Sequence, residues 1–566
     1  MEKEKFIEDI LSKMSIEQKV GQCLVIGYCG NVITPEILNR IKRYSPAGIR
    51  VGYYWRVRTA WHDPGCTPPE FAHRMLRTPE GTMKDYIPGI PVPYCTNEEY
   101  TQFLNKLKQT SLDNVGVPLH ITFDFEGDQS ADYYYGGAHQ FPNNLGLTTK
   151  NEPQMAYDVP WAIGTQLIPL GFSWSHSLVL DVNTNPYNPE IGVRSFGSDA
   201  DTVIKYATKM LNGWRDSGMI ATGKHFPGRG ESASDAHSGL PIIDLSLSEM
   251  EEHIKPYKAL IKEGLPAIMT AHTAYPNLDP ADVPATLSKT ILTDLLKGDL
   301  GFKGAITTDA MAMGGIISRF EFKDALINAL NAGADLLLIR DEGPIIHEVF
   351  PQLVNAVKNG IIKESRLDDA ITRTLSVKYD YGFFDENSKL GIKDVSKASE
   401  GIKNEKVERI CINSANEAIQ ILRDEQNLLP LKPDTKVLLI EQINPMHLNT
   451  NSSHCHPSIF WEKMMEQSEN VGSIETNQVF TDNDKQRIKL RYNQADVIVI
   501  TNYYGRRILD GNSFVKEIVS WGKPTIVVTN SPFPFTVTDE YKTVVCTYGC
   551  STESLDAAAK IIYKKV

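Results

Sequence analysis

A chain of 566 residues is too long for one ordinary core. At roughly 100–200 residues per domain, with barrels reaching about 250, two domains are expected. Its 41% hydrophobic and 23% charged residues exclude a disordered chain, and a net charge of −12 without any basic run of five disfavours nucleic acid and anionic membranes as partners.

The N-terminal stretch MEKEKFIEDILSKMS is charged and amphipathic and lacks the apolar core of a secretory signal. No stretch reaches the roughly 18–20 apolar residues of a membrane span, so a cytoplasmic protein is expected. Short apolar, β-branched runs then alternate with amphipathic helical patterns. The strand candidates are 23–27, 48–54, 119–125, 177–182, 219–226, 267–272, 304–309 and 335–339. Helical stretches between them include 98–112, 199–217, 247–263, 287–298 and 323–332. Strands in βα order argue for parallel pairing with helical crossovers. Eight is the closure number of the (β/α)8 barrel, with a doubly wound open sheet as the structural alternative. Segment 55–100, with Trp55, Trp61, many prolines and Cys66, is too long for a simple βα loop. It reads as a substrate-covering insertion or a lateral decoration.

The predicted barrel domain covers 1–385 and is followed by a linker over 386–434 that carries its own short strand. New β runs at 436–440, 496–501, 525–530 and 543–548, with a helical piece at 514–522, predict a smaller α/β sandwich domain over 435–566. No glycine-rich phosphate loop follows its first strand, which disfavours a nucleotide role. The eight cysteines are scattered and read as reduced structural thiols. His454-Cys455-His456 has no second ligand cluster nearby in sequence and reads as a surface loop, so no metal and no cofactor are expected.

In an α/β barrel the reacting groups sit at the C-terminal ends of the strands. Asp124, Asp181, Lys224 with His225, His272 and Asp309 all fall at such ends. Five polar strand ends in succession are hard to explain as solvated loops. The stretch KHFPGRGESASDAHSGLP (224–241) is a long shaped loop holding Asp235-Ala236-His237. In an extended segment residues i and i+2 share a side, which brings the Asp235 carboxylate to the imidazole. Such a partner fixes the ring tautomer and favours its protonated form. Asp309, closing a buried apolar strand, is either a functional acid or an N-cap for the next helix.

Together DFEG (124–127), LDVNTNPYNPEIGVRSFG (180–197), KHFPGRGESASDAH (224–237) and TTDAM (307–311) resemble the family 3 glycoside hydrolases, specifically their β-N-acetylglucosaminidase branch. The likeness covers roughly residues 10–380, and LRDEQNLLPL (422–431) resembles the opening of the second domain in two-domain members. The resemblance implies that Asp309 is the nucleophile, His237 the acid/base and Asp235 its dyad partner. It implies that Asp124, Arg194, Lys224 and His225 hold the non-reducing-end sugar. The chain departs from the family pattern in PGRG where PGHG is common, in DAH where DSH is common, and in Asp128 where a second glycine often stands.

The expected activity is retaining hydrolysis of terminal β-linked N-acetylglucosamine from a small oligosaccharide or glycoconjugate, such as a muropeptide or chitin fragment. Imidazole, unlike a carboxylate base, does not repel an anionic acceptor, so phosphorolysis is an alternative. A β-glucosidase and a silent sugar-binding protein are the others.

Overall fold

The computed structural model describes residues 2–29, 33–52, 95–127, 130–132, 136–339, 345–385, 388, 390–442, 458–476, 480–504 and 511–564. Most of the expected insertion at 55–100 and all of His454-Cys455-His456 lie outside the described residues.

Eight parallel strands follow one another around a barrel. They are β1 (Leu24–Cys29), β2 (Gly48–Gly52), β3 (His120–Phe123), β4 (Trp174–Val179), β5 (Ile220–Phe226), β6 (Ala267–Thr270), β7 (Ala305–Thr308) and β8 (Leu337–Ile339). Neighbours in sequence are neighbours in the sheet, and β1 also pairs with β8. A bridge from Thr307 to Leu336, with Thr308 N donating to Leu336 O at 2.9 Å, draws β7 to β8 and nearly closes the ring. The strands read as apolar runs because both faces are buried, one by the barrel interior and one by the crossover helices. Helix 97–115 starts with a capping box between Thr96 and Glu99 and stops at left-handed Gly116. Helix 247–262 carries the same device in Ser246 and Glu249.

The second sheet runs β11-β10-β12-β13-β14-β9, where β9 is Gln420–Asp424, β10 Val437–Gln442, β11 Val471–Thr476, β12 Val497–Thr501, β13 Thr525–Thr529 and β14 Thr543–Cys546. All pairs are parallel except β9 with β14. One face is covered by helices 459–465 and 552–563 through Phe460, Leu555 and Ile562, the other by helices 482–492 and 511–520 through Ile488, Phe514 and Ile518. The expected α/β sandwich on the C-terminal side of a barrel is therefore the observed architecture. Two details differ. The fourth strand is Trp174–Val179 rather than 177–182, because the apolar run continues past the strand end while Leu180 N still donates to Lys224 O at 2.7 Å. β11 had no apolar run to announce it, since VGSIET is an edge strand with alternating burial.

The two parts meet beside the C-terminal mouth of the barrel. Val193, Ala418, Cys546 and Tyr548 form a small apolar cluster with Leu145 and Phe533. Asn143 donates through both its backbone N (2.9 Å) and Nδ2 (2.7 Å) to Tyr548 O, and Tyr504 donates its hydroxyl to Pro189 O. The second sheet thus braces the long segment that follows β4.

Candidate active site

Parallel strands put every C-terminal end on one rim, and there the polar residues gather. Asp124 follows β3. Its Oδ2 accepts from Arg50 Nη2 at 2.5 Å and its Oδ1 from Lys224 Nζ at 2.9 Å. Lys224 also pairs with Glu126. Arg194 clasps Glu126 with both arms, Nε to Oε2 at 2.5 Å and Nη2 to Oε1 at 3.0 Å, a bidentate pair that fixes the guanidinium plane. These cations hold the Asp124 carboxyl well below, and the Glu126 carboxyl below, the usual carboxylate range, although burial alone would raise both.

His225, inside β5, has the Arg229 guanidinium 2.8 Å from its Nε2, and since a guanidinium has only hydrogens to offer, Nε2 accepts there. With Nε2 accepting, Nδ1 is the donor to Asp181 Oδ2 at 2.7 Å. Asp181 also accepts from Arg229 N at 2.7 Å, and burial lifts its carboxyl to about 6 despite the Arg229 charge.

Asp309 directly follows β7. Its Oδ1 accepts from Ala310 N at 2.7 Å, and its Oδ2 lies 3.8 Å from His225 Nε2 and 3.7 Å from Arg229 Nη2. Burial pushes this carboxyl up, but Arg229, His272, His237 and Lys224 outweigh it and leave it below its ordinary value. Asp309 does not cap the next helix, which begins at Gly314 behind Met313.

Asp235 Oδ1 accepts from His237 N at 2.8 Å and from His237 Nδ1 at 2.7 Å. The pair meets through a tight turn, closed by Ser238 N to Asp235 O at 3.0 Å, and not through the extended pleat that the i, i+2 spacing suggested. An aspartate bonding its own backbone two residues on is the ordinary chemistry of such turns. Burial depresses the imidazole, but its hydrogen bonds to Asp235 and Glu190 prevail and raise it above its usual value. The loop reaches the Asp309 side because Gly315 N donates to Ala236 O at 2.7 Å, and a Cβ at Gly314 would stand 2.5 Å from His237 O. Only glycine allows that approach.

All seven sequence-predicted residues, Asp124, Arg194, Lys224, His225, Asp235, His237 and Asp309, belong to one cluster linked by contacts of 3.9 Å or less. Three linking residues were missed: Glu126, which joins Arg194 to Lys224, and Glu190 and Arg229. Glu190 accepts from Arg229 Nη2 at 2.8 Å, lies 3.4 Å from His237 Nδ1, and takes Ala236 N at 3.3 Å. Arg229 is fully buried, with Nε and Nη1 unpartnered among the described residues; the charges of Glu190, Asp309 and Asp181 offset its burial. The departure of PGRG from the commoner PGHG was the available signal for Arg229.

Among the described residues, two groups bring three possible metal-ligand atoms within 4.8 Å: His139, Cys411 and Glu553, and Glu190, Asp235 and His237. In the second, Arg229 already supplies the positive charge on Glu190 and the imidazole proton occupies the space between the carboxylates. A cavity bordered by Gly218, Pro266 and Gly304 lies at the opposite end of the barrel and contains none of these groups. An ionised carboxylate facing a proton-bearing imidazole can attack a carbon on one side of a bond while protonating the leaving atom on the other.

The model of the glycosyl hydrolase family 3 N-terminal domain matches residues 84–377. β-Hexosaminidase A of Pseudoalteromonas piscicida is 34% identical over 283 residues, covering 46% of this chain and 47% of that protein, so the match spans about half its length. A β-hexosaminidase of Tolumonas auensis is 34% identical over 238 residues, covering 42% of this chain and 70% of that one. The solved structure of a family 3 β-N-acetylglucosaminidase from Paenibacillus sp. str. FPU-7 superposes with a TM-score of 0.80 at 23% identity over 97% of both chains, a likeness of fold. A family model spanning just over half of the chain, together with a relative matched over more than two thirds of its length, shows that this chain belongs to glycosyl hydrolase family 3.

Proposed function

We propose that the chain is a retaining glycosidase that removes terminal, non-reducing β-linked N-acetylglucosamine through a glycosyl–Asp309 intermediate, with His237 as acid/base. The observation that carries this reading is the opposed electrostatics of the two groups. The cations around Asp309 lower its carboxyl below its ordinary value, and the carboxylates on Nδ1 raise the His237 imidazole above its own. Neighbouring groups with protonation states pushed apart mark acid and nucleophile. The names of the relatives matched in the barrel support N-acetylhexosamine as the sugar.

In the first step the Asp309 carboxylate attacks the anomeric carbon, the glycosidic C–O bond breaks, and His237 gives its Nε2 proton to the departing oxygen. In the second, neutral His237 takes a proton from water as that water attacks the anomeric carbon, whose bond to the Asp309 oxygen breaks, releasing the sugar with retained configuration and the free Asp309 carboxylate. Asp124, with 21% of its side chain exposed, accepts from sugar hydroxyls, while Lys224, Arg194 and His225 donate to or orient the ring. The positive groups beside Asp309 keep it ionised between turnovers. We read the chain as barrel over 1–385, connection over 386–434 and α/β domain over 435–566, with β9 of the connection recruited into the second sheet. Buried free thiols at Cys23 and Cys546 support a reducing compartment such as the cytoplasm. Among the described residues no helix is long and apolar enough to cross a membrane.

Paired nitrophenyl glycosides test the sugar. Faster release from the N-acetylglucosaminide than from the glucoside is expected, and the reverse overturns the assignment. Product analysis with and without phosphate separates free sugar from sugar-1-phosphate.

A further inference from the structure

His237 Nδ1 faces two carboxylates, not one. Asp235 Oδ1 stands at 2.7 Å and Glu190 Oε1 at 3.4 Å. The second comes from a different element, the segment after β4. That segment is tied to the base of the same loop, five residues or more before Asp235. Asn188 Oδ1 accepts from both Glu190 N and Ile191 N at 2.9 Å, and Asn188 Nδ2 donates to Arg229 O at 2.9 Å and Gly230 O at 3.0 Å. A Cβ on Gly230 would stand 1.6 Å from Val182 O, so this loop and the β4 segment touch backbone to backbone.

Glu190 is 4% exposed and spends both oxygens on the site. Oε1 is shared between Arg229 Nη2 and the imidazole, and Oε2 accepts from the amide of Ala236, the residue between Asp235 and His237. One side chain thus holds both the backbone and the ring of the loop that bears the acid. The dyad alone would fix the ring relative to its own turn; it would not fix that turn relative to Asp309, which sits across the barrel mouth on β7.

We propose that Glu190 is a positioning residue for the His237 acid/base, clamping the Asp235–His237 loop in its inward position and acting as a second carboxylate on Nδ1 so that Nε2 faces the leaving oxygen. This rests on His237 being the acid/base. The charged and titratable groups facing His237 are Asp235 on its own loop, Glu190 from the β4 segment, Arg229 at the other side of Glu190, Arg194 3.9 Å from Glu190, and Asp309 and His272 from the ends of β7 and β6. Arg229 divides Glu190 between two tasks. It balances the buried charge, and it links the clamp to Asp309, from which its Nη2 is 3.7 Å.

The test compares Glu190→Gln, Glu190→Asp and His237→Ala on N-acetylglucosaminides with dinitrophenyl and methyl leaving groups, with pH profiles of kcat/KM and near-ultraviolet circular dichroism as the check on folding. Glu190→Gln keeps the shape and the acceptor for Ala236 N but removes the charge. Its basic limb is expected to move to lower pH by about one unit, since one unit corresponds to a tenfold change in proton affinity. Its loss on the methyl glycoside is expected to exceed that on the dinitrophenyl glycoside by at least roughly tenfold, the lower part of what general acids contribute. Glu190→Asp, which retains the charge, should recover part of both effects, and it carries the test if the glutamine variant does not fold. If Glu190→Gln leaves the basic limb and the leaving-group dependence where they are while His237→Ala shows a strong leaving-group dependence, the clamp is wrong and the acid assignment stands. If His237→Ala itself loses equally on both substrates, the acid assignment falls and the role of Glu190 with it.

Discussion

Arg229 Nη2 lies 3.7 Å from Asp309 Oδ2, with Arg229 buried and Asp309 part-buried in the mouth of the barrel. The Asp309 carboxylate therefore has a guanidinium beside it, although Asp309 and Arg229 come from the ends of different strands.

Replacing Arg229 by Met removes the leading cation that keeps Asp309 below its ordinary value. The carboxyl then titrates higher, and the acidic limb of kcat/KM is expected to move to higher pH. The same change removes the nearest cation from buried Glu190 while Arg194 at 3.9 Å and His237 at 3.4 Å remain, so the loss is expected to fall below the about 3–5 kcal/mol of a fully broken buried pair. Denaturant midpoints measure the second effect and the pH profile the first; an unmoved acidic limb would show that Arg229 does not set the ionisation of Asp309.

Asp235→Asn keeps the size of the partner and can still accept from His237 N, but it removes the charge that favours imidazolium. Substrates with poor leaving groups are expected to lose about 10²–10⁴-fold, the usual worth of a general acid, whereas activated aryl glycosides lose far less. The leaving-group dependence of kcat/KM checks this.

Much of this site is legible in the sequence because barrel geometry converts strand ends into neighbours. Asp124, Lys224, His225 and Asp309 each follow or close an apolar run, so their convergence follows from counting strands. What could not be read is whatever depends on contacts across loops. Glu190 and Arg229 lie 39 residues apart and meet through a segment without regular structure. The turn that joins Asp235 to His237 has the same sequence as an extended stretch would. β9 also sits in a segment that looks like a connection, and only its pairing with β14 reveals it as part of a sheet.

The second sheet contributes to the site through Tyr504, whose hydroxyl donates to Pro189 O, one residue before Glu190. Tyr504→Phe deletes that bond, and about 0.5–1.5 kcal/mol of stability is expected to go with it. Because the freed segment carries Glu190, kcat on poor leaving groups should fall by a few fold in the same variant, by an amount roughly matching that energy. Thermal unfolding together with kcat on the methyl glycoside tests this; a loss of stability with kcat unchanged would confine the contact to holding the domains together.

Lys378 provides a pH test independent of the site. Its ammonium is buried against Ala47 O and Pro118 O, both at 2.8 Å, and burial lowers it to about 7 from an unfolded value near 10.5. Between those values the unfolded chain binds more protons than the folded one, so this lysine makes stability rise with pH from about 7 toward 10. The contribution is present in full above the unfolded value and is lost as pH falls through the folded one. Lys378→Met should flatten the slope of unfolding free energy over that window, measured by denaturant titration at several pH values.

The account depends above all on a covalent ester at Asp309. His237→Ala lacks the base for the second step, so with a dinitrophenyl N-acetylglucosaminide the intermediate should accumulate after rapid acid quench. Peptide mass spectrometry is expected to find one N-acetylhexosamine residue added to the peptide containing Asp309, at that side chain. Sugar carried on another residue, or full turnover by the Asp309→Ala variant, would contradict the account.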